Sequence, residues 1–582
     1  MNQNNNFIQK LFSWSLLAFC CLGFLGVFAT VVNRDWGYIF KKDLYQYDES
    51  SNSVVSANAT REFFPTMIRT NPLNQTQGIW MEGPNWQHIP PLFAYVPTLF
   101  FKIDGHTTIE IKRFSYALVE LLTGLLLILG VAWLSKKALA TGSAAIAATL
   151  WVITPFSQRL ITGTAFGASD IVLAFSVTAC FIGAIYYLLP EKEARKNYSL
   201  TKLMLLGALF SLPILTKNVL GGIPAASYFL LLLIDQKKVN YKVLAASLSF
   251  LFCVFAYFGI LYFSSPQTFK MEIFVSFQHF QNFEGWARPW NYYITNYLPG
   301  EYLGKFTYLY WLSLAGVSLF LIFKKSLGRT SKVLLLVSLA WFVANIIAIS
   351  ILTSKAPNFI FQTYLLSLLF IVYGIILIGE SIFDKLTKNK RETLIRLSSW
   401  VVVILCLPLI FYVVFKFVFL LKKFHTTRQQ PYSYTTEHEK YYGFGEFAQA
   451  KGISNKDIFI LNSTPDDCWF RYYLLFLTGA EAKTFDEIYN PSANAQTLEI
   501  IRKKYQKLYF IIPSDAKISL PPNDKPDSQI TFGDFSLLGF TTASLPENFF
   551  ENWKNSLNKT PDLPIFSAHS SCSWIEKPPF LP

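Results

Sequence analysis

Roughly eleven apolar stretches punctuate this chain, and short Lys/Arg-rich runs fill every second gap between them. A helix needs roughly 20 apolar residues to cross hydrocarbon. A backbone in that medium must satisfy its own N–H and C=O groups, so stretches of this kind fold as a helical bundle. Composition agrees: of 582 residues, 52% are hydrophobic, 17% aromatic and only 15% charged, against about 25% charged in soluble domains. The first stretch, residues 11–32, is too long for the core of a cleavable signal and has no small-residue cleavage site, so it reads as an anchor that stays.

The net charge of +14 is unevenly spread. Residues 425–582 hold 15 Lys+Arg against 18 Asp+Glu, a balance of −3, so the apolar part carries +17. Its positive charges group at Lys136-Lys137, around Lys192 to Lys202, around Lys237 to Lys242, from Lys324 to Lys332 and from Lys385 to Arg396. Such clusters in short loops mark the cytoplasmic side of a membrane protein and do not imply a nucleic-acid partner. With them inside, residues 11–32, 115–134, 138–155, 171–189, 203–215, 220–234, 243–263, 309–323, 333–352, 360–382 and 400–421 alternate consistently. The N-terminus is then in and the C-terminus out. Residues 90–101 are apolar but short, hold Pro90, Pro91 and Pro97, and have no basic cluster behind them. They read as a helix at or dipping into the outer interface.

The expected architecture is therefore a mainly α polytopic membrane domain, 1–421, with outer loops at 33–113 and 264–307, followed by an outer soluble α/β domain, 422–582. The loop at 264–307 is rich in aromatic residues, suiting an interface belt or a substrate groove. In the soluble part, 456–461 and 507–512 are β-rich apolar runs, with helical spacing over 498–507 between them. Cys468 and Cys572 are the only cysteines beyond Cys406. The topology puts both outside, where a disulfide between them is expected.

On the outer side, few ionisable residues sit at the ends of the apolar stretches: Asp48 and Glu49 in the first loop, Asp170, Lys217 and Lys355. Lys217 and Lys355 lie on the positive-poor side, each where two spans turn. Either could be a snorkelling anchor. Two cations with two or three carboxylates on one face also make a site for an anion beside a hydroxyl-activating base. At that depth the natural anion is a lipid phosphate.

Several segments resemble, in order, motifs of the C-type membrane glycosyltransferases, which include the protein O-mannosyltransferases and the lipid A aminoarabinose transferases. Tyr47-Asp48-Glu49-Ser50 with Arg61-Glu62 is similar to the family's acidic first loop. Gln87-His88-Ile89-Pro90-Pro91-Leu92 resembles its basic-Pro-Pro-Leu segment, and Ile111-Lys112-Arg113-Phe114 its Arg-containing start of the second span. Thr154-Pro155 through Ser169-Asp170, Leu215-Thr216-Lys217, and Trp290-Asn291-Tyr292-Tyr293 through Pro299-Gly300 resemble three further motifs. The resemblance covers about residues 10–380. Departures are His88 for a Lys, Asn218 for a Gly, and no Arg in the turn from Lys355 to Phe359.

The resemblance implies transfer of a sugar from a polyprenyl-phosphate donor to a hydroxyl of a lipid, glycan or protein acceptor, on the outer face of a bacterial-type cytoplasmic membrane. Asp48 would be the general base of a single inverting displacement, with Glu49 and Asp170 orienting. Lys217 and Lys355 would hold the phosphate, assisted by His88, Arg113 and Tyr293. The scheme needs no cofactor, although the acid pair with His88 could take a divalent cation. The competing reading is a lipid or lipid-linked-glycan transporter, which would call for charges facing inward near mid-bilayer. The charge map makes a direct prediction: a cysteine at Ser264 is labelled from outside intact cells and one at Ser326 is not. Outside labelling at position 326 overturns the map.

Overall fold

The computed structural model of the chain describes residues 2–42, 53, 56–60, 92–154, 169–191, 195, 198–236, 241–264, 266, 269, 288–295, 306–324, 327–353, 355, 357–386, 391–430, 432–461, 467–489, 491–492, 494–516, 518, 520–521 and 524–558. Each expected apolar stretch lies largely within a helix. These are α1 (Asn2–Arg34), α2 (Trp36–Ile39), α3 (Leu92–Asp104), α4 (Ile109–Ser135), α5 (Ala138–Val152), α6 (Ser169–Leu188), α7 (Leu200–Gln236), α8 (Tyr241–Ser264), α9 (Thr307–Phe323), α10 (Arg329–Ile351), α11 (Phe361–Leu386) and α12 (Arg391–Gln429). Among the described residues, 7 helices are long and apolar enough to cross a membrane, and the chain is an integral membrane protein. Ala138–Val152 and Thr307–Phe323 are shorter apolar helices. At about 1.5 Å per residue they reach roughly 22–26 Å, against about 30 Å of hydrocarbon.

Helix α7 takes in two of the expected stretches, one on either side of a reversal. A straight helix of its 37 residues would place residues eight apart about 12 Å from each other. Instead Gly221 lies against the backbone of Pro213, so that a Cβ on Gly221 would overlap the Pro213 carbonyl. The chain folds back between these two residues, and Lys217 stands between them. Proline cannot donate the hydrogen bond that would continue the first arm, and glycine permits the close approach.

Prolines inside helices free carbonyls that a bundle must re-satisfy. Pro97 leaves the Phe93 carbonyl without its usual donor, and the Tyr116 hydroxyl of α4 donates to it at 3.4 Å. Pro213 does the same to the Leu209 carbonyl, which accepts from the Cys180 thiol of α6 at 3.4 Å. Helix α3 is thus packed into the bundle, with Phe93, Ala94, Pro97, Thr98 and Phe101 buried.

Beyond α12 come α13 (Glu437–Ala450), α14 (Asp467–Thr478) and a 5-stranded sheet. Its order is β2-β1-β3-β5-β4, from β1 (Asp457–Leu461), β2 (Glu481–Thr484), β3 (Lys507–Pro513), β4 (Ser528–Phe532) and β5 (Phe535–Thr541). β1 pairs parallel with β2 and β3, while β5 is antiparallel to β3 and β4. Strands covered on both faces read as unbroken apolar runs, and all five β1 residues are buried. On one face Ile458, Ile460, Leu508 and Phe510 pack with Phe549 and Trp553 of the last described helix, α16 (Phe549–Asn558), the Phe510 and Trp553 rings stacking at 3.6 Å. Helix α15 (Asn494–Lys504) adds Leu498 and Ile501 to the same core. On the other face Phe459, Leu461 and Tyr509 share a core with α13, α14 and the membrane helices.

Helix α13 starts with a capping box: Thr436 accepts from the Glu439 N–H, and the Glu439 carboxylate accepts from the Thr435 and Thr436 N–H groups, the Thr435 hydroxyl and the Tyr432 hydroxyl. Burial opposes the Glu439 charge, but these donors outweigh it and hold the pKa down at about 2. A depressed carboxylate pKa contributes stability that is complete above its unfolded value, near 4.5, and is lost as pH falls toward 2. Glu439→Gln is expected to lower the thermal midpoint of the purified chain at pH 7, by an effect on the order of 2 kcal/mol. It should also flatten the midpoint's fall between pH 5 and pH 3; an unchanged pH profile contradicts the assignment.

Candidate active site

Asp48, Glu49 and His88 lie outside the described residues, as does Cys572, the expected partner of Cys468. The possible cation site made of the first three lies outside the described residues with them. The remaining candidates are placed, and most converge.

Asp170 is the second residue of α6, where the helix dipole favours a carboxylate. It is wholly buried, and Lys217, at the fold of α7, donates to its Oδ1 at 2.6 Å. The side chains are 15% (Lys217) and 1% (Asp170) exposed, so each offsets the desolvation of the other. The Lys217 ammonium also lies 5.5 Å from the centre of the Phe359 ring. Phe359 belongs to the 3₁₀ turn Pro357–Ile360 that follows Lys355. Two connections far apart in sequence, the fold of α7 and the turn between α10 and α11, thus meet at one ammonium group.

Lys355 is 2% exposed. Its Nζ donates to the Arg288 carbonyl at 3.1 Å and to the Leu352 carbonyl. Burial pulls its pKa below that of an ordinary lysine. The Arg288 N–H returns a bond to the Thr353 carbonyl at 3.3 Å, so residues 288–295 are fastened to this turn. That fastening seats Tyr293, fully buried and edge-on to Tyr292 at 5.5 Å. Beneath the turn, Asn345 donates to the Thr363 hydroxyl at 2.8 Å and to the Phe359 carbonyl at 3.4 Å, and accepts from Gln362 at 2.9 Å. Thr363 and Gln362 are buried polar residues at the start of α11, and their network fixes where the Phe359 ring stands.

Arg113 is also buried, but it is occupied with the chain itself. Its Nη1 donates to the Lys41 carbonyl at 2.8 Å. Its neighbour Lys112 donates to the Ser53 hydroxyl at 2.6 Å. Both therefore hold the first loop near its start. The sequence reading missed the group beside them: Lys42 sits between Glu110 (2.8 Å) and Glu446. The available signal was a lysine pair, Lys41-Lys42, on a side otherwise poor in positive charge. Glu120 was missed as well, a wholly buried carboxyl eleven residues into α4 and away from the span ends where charges were expected.

The Lys217–Asp170 geometry predicts an asymmetry. Removing one member of a buried pair strands the other, at a cost of about 3–5 kcal/mol. Asp170→Asn alone is expected to drop the thermal midpoint of the purified chain markedly, and adding Lys217→Met should restore most of it. Equal midpoints for Asp170→Asn and the unmodified chain rule out the buried pair.

No protein-family model matches the chain, and no curated protein matches it. Among solved structures, it is similar to ArnT from Cupriavidus metallidurans bound to undecaprenyl phosphate, at 14% identity and a TM-score of 0.49, over 89% of this chain and 98% of that one. It is also similar to the archaeal oligosaccharyltransferase AglB from Archaeoglobus fulgidus in complex with an inhibitory peptide and a dolichol-phosphate, at 13% identity and a TM-score of 0.44, over 84% of this chain and 69% of that one. Both neighbours have the C-type glycosyltransferase fold.

Proposed function

We propose that the chain is a membrane glycosyltransferase that moves one sugar from a polyprenyl-phosphate donor to an acceptor hydroxyl. The observation that carries this reading is the meeting of Lys217, Asp170 and the Lys355–Phe359 turn at one end of the bundle. Two ammonium groups come from separate connections, and one of them is held in place by a carboxylate. That arrangement suits the departing phosphate, whose charge grows as the glycosidic bond breaks. The aromatic segment fastened to the same turn by Lys355 supports the reading, since a sugar ring packs well on such residues.

In this scheme the Asp48 carboxylate takes the proton from the acceptor hydroxyl as the oxygen attacks the anomeric carbon, and the phosphate leaves on the opposite side with inversion. Glu49 orients the acceptor. Asp170 has a narrower part than the sequence implied: it fixes the Lys217 ammonium instead of facing the acceptor directly. Lys355 spends two donors on backbone carbonyls and keeps one N–H for the phosphate. The site faces the extracytoplasmic side of a bacterial-type inner membrane, with about eleven spans, N-terminus in and C-terminus out. Residues 1–421 form the transferase domain and 422–582 the outer domain.

Asp48→Asn is expected to abolish sugar transfer, read as accumulation of lipid-linked sugar in cells, while the purified variant still binds undecaprenyl phosphate. Lys217→Met or Lys355→Met should weaken binding of that probe about 10–100-fold, the loss of one charge-assisted bond. Full transfer by Asp48→Asn ends the mechanism. Unchanged binding by both lysine variants makes them anchors, and lipid-linked sugar that crosses the membrane without being consumed favours the transporter.

A further inference from the structure

Asn345 lies about two turns before the end of α10, on a helix otherwise made almost entirely of apolar residues. It is buried, and its amide nitrogen uses both hydrogens: one goes to the Thr363 hydroxyl at 2.8 Å, the other to the Phe359 carbonyl at 3.4 Å. Its Oδ1 accepts from the Gln362 Nε2 at 2.9 Å. The Thr363 hydroxyl, filled from Asn345, passes its own hydrogen to the Ile360 carbonyl at 3.3 Å.

These contacts settle which way both amides face. A carbonyl can only accept, so the Phe359 carbonyl requires the nitrogen of Asn345 on its side. The Asn345 oxygen then requires the nitrogen of Gln362. The Gln362 Oε1 is left buried with no hydrogen-bond partner among the described residues. A buried acceptor in that state costs about 1–3 kcal/mol. Leucines at 345 and 362 would fill comparable space without that cost. The network therefore contributes direction more than stability.

What it directs is the connection between α10 and α11. Phe361 of that connection also stacks on Trp151 of α5 at 5.1 Å, but an apolar contact leaves room to slide. Asn345 does not, because it holds the Phe359 carbonyl and the first turn of α11 at fixed directions. The same connection carries Lys355 and the Phe359 ring, whose centre is 5.5 Å from the Lys217 ammonium. We propose that Asn345 is a positioning residue of the phosphate site. Through the Phe359 carbonyl and the Gln362–Thr363 turn, it holds the connection bearing Lys355 in register with Lys217. The proposal rests on the reading of Lys217 and Lys355 as phosphate ligands. Two ammonium groups share one phosphate only when both stand about 2.7–2.9 Å from its oxygens, so a connection shifted by about 1 Å gives up one of the two bonds.

The test uses the full-length purified chain, with undecaprenyl phosphate as binding probe and the thermal midpoint as a separate reading. Asn345→Leu is expected to weaken binding about 10-fold and to lower the midpoint. Adding Gln362→Leu removes the amide that the first change strands, so the midpoint should recover most of its loss while the affinity does not. In a Lys355→Met background, Asn345→Leu should weaken binding by no more than about twofold further, because both changes remove the same contact. A role in folding alone predicts the reverse: affinity that returns with the midpoint, and losses that add. Either of those results overturns the proposal. If the leucine variants fail to fold, Thr363→Val, which deletes one hydroxyl with little change of shape, should weaken binding about threefold, again without adding to Lys355→Met. Unchanged affinity in folded Asn345→Leu or Thr363→Val, while Lys217→Met and Lys355→Met lose theirs, overturns the positioning role and leaves the phosphate site standing. Unchanged affinity in both lysine variants overturns the phosphate site and the positioning role with it.

Discussion

A charge inside an apolar helix bundle survives only with a partner, and the buried lysines of this molecule are arranged around that requirement. Stranding an ion there costs several kcal/mol, on the order of 3–5 once one partner is removed. Exposed lysines such as Lys136 escape the cost by standing in water, and the buried ones do not. Lys217 takes Asp170, Lys42 takes Glu110 and Glu446, and Lys355 takes backbone carbonyls. Each pairing draws together elements distant in the sequence, so the demand for charge compensation also brings α6, α7 and the α10–α11 turn to one place.

Much of the course of the chain was legible because hydrophobic length and charge asymmetry are local signals. The apolar stretches fall within helices, and the runs at 456–461 and 507–512 coincide with β1 and β3. The helical spacing read over 498–507 overlaps a helix that ends earlier, at Lys504. What length and charge left out is also physical. Helix α12 runs on to Gln429, past the apolar limit at 421, because its polar last turns are fixed by tertiary contacts such as Arg428 with Asp104. The α5 helix stops at Val152, short of the apolar stretch that ran on to 155, where the proline at 155 disfavours helix in the residue before it.

Of the candidate site, the sequence singled out Asp170, Lys217 and Lys355 as ionisable residues at span ends but could not pair them. Asp170 and Lys217 are 47 positions apart, and only the packing of α6 on α7 decides that they meet. Lys42, Glu110 and Glu446 were harder still. Each taken alone resembles a solvated charge at a helix end, and their sequence separations give no periodic signal. Arg113 was named from its family-like segment alone; in the structure one of its N–H groups donates to the Lys41 carbonyl, a partner that no sequence signal indicated.

The ion pairs of Lys42 with Glu110 and Glu446 bear on how the C-terminal unit is joined to the helical bundle. The sheet face that carries Phe459, Leu461 and Tyr509 shares its core with the membrane helices, so apolar burial supplies the adhesion. Adhesion of that kind tolerates small slides, because apolar contacts fix area more firmly than register. An ammonium shared by two carboxylates, a hydroxyl received by a helix N-terminus and a bidentate guanidinium do not tolerate them. Burial and polar register therefore divide the work: the first keeps the unit on, and the second fixes where it sits. For the transfer proposed above the second matters more than the first, because a general base must stand within hydrogen-bond reach, about 3 Å, of the acceptor oxygen.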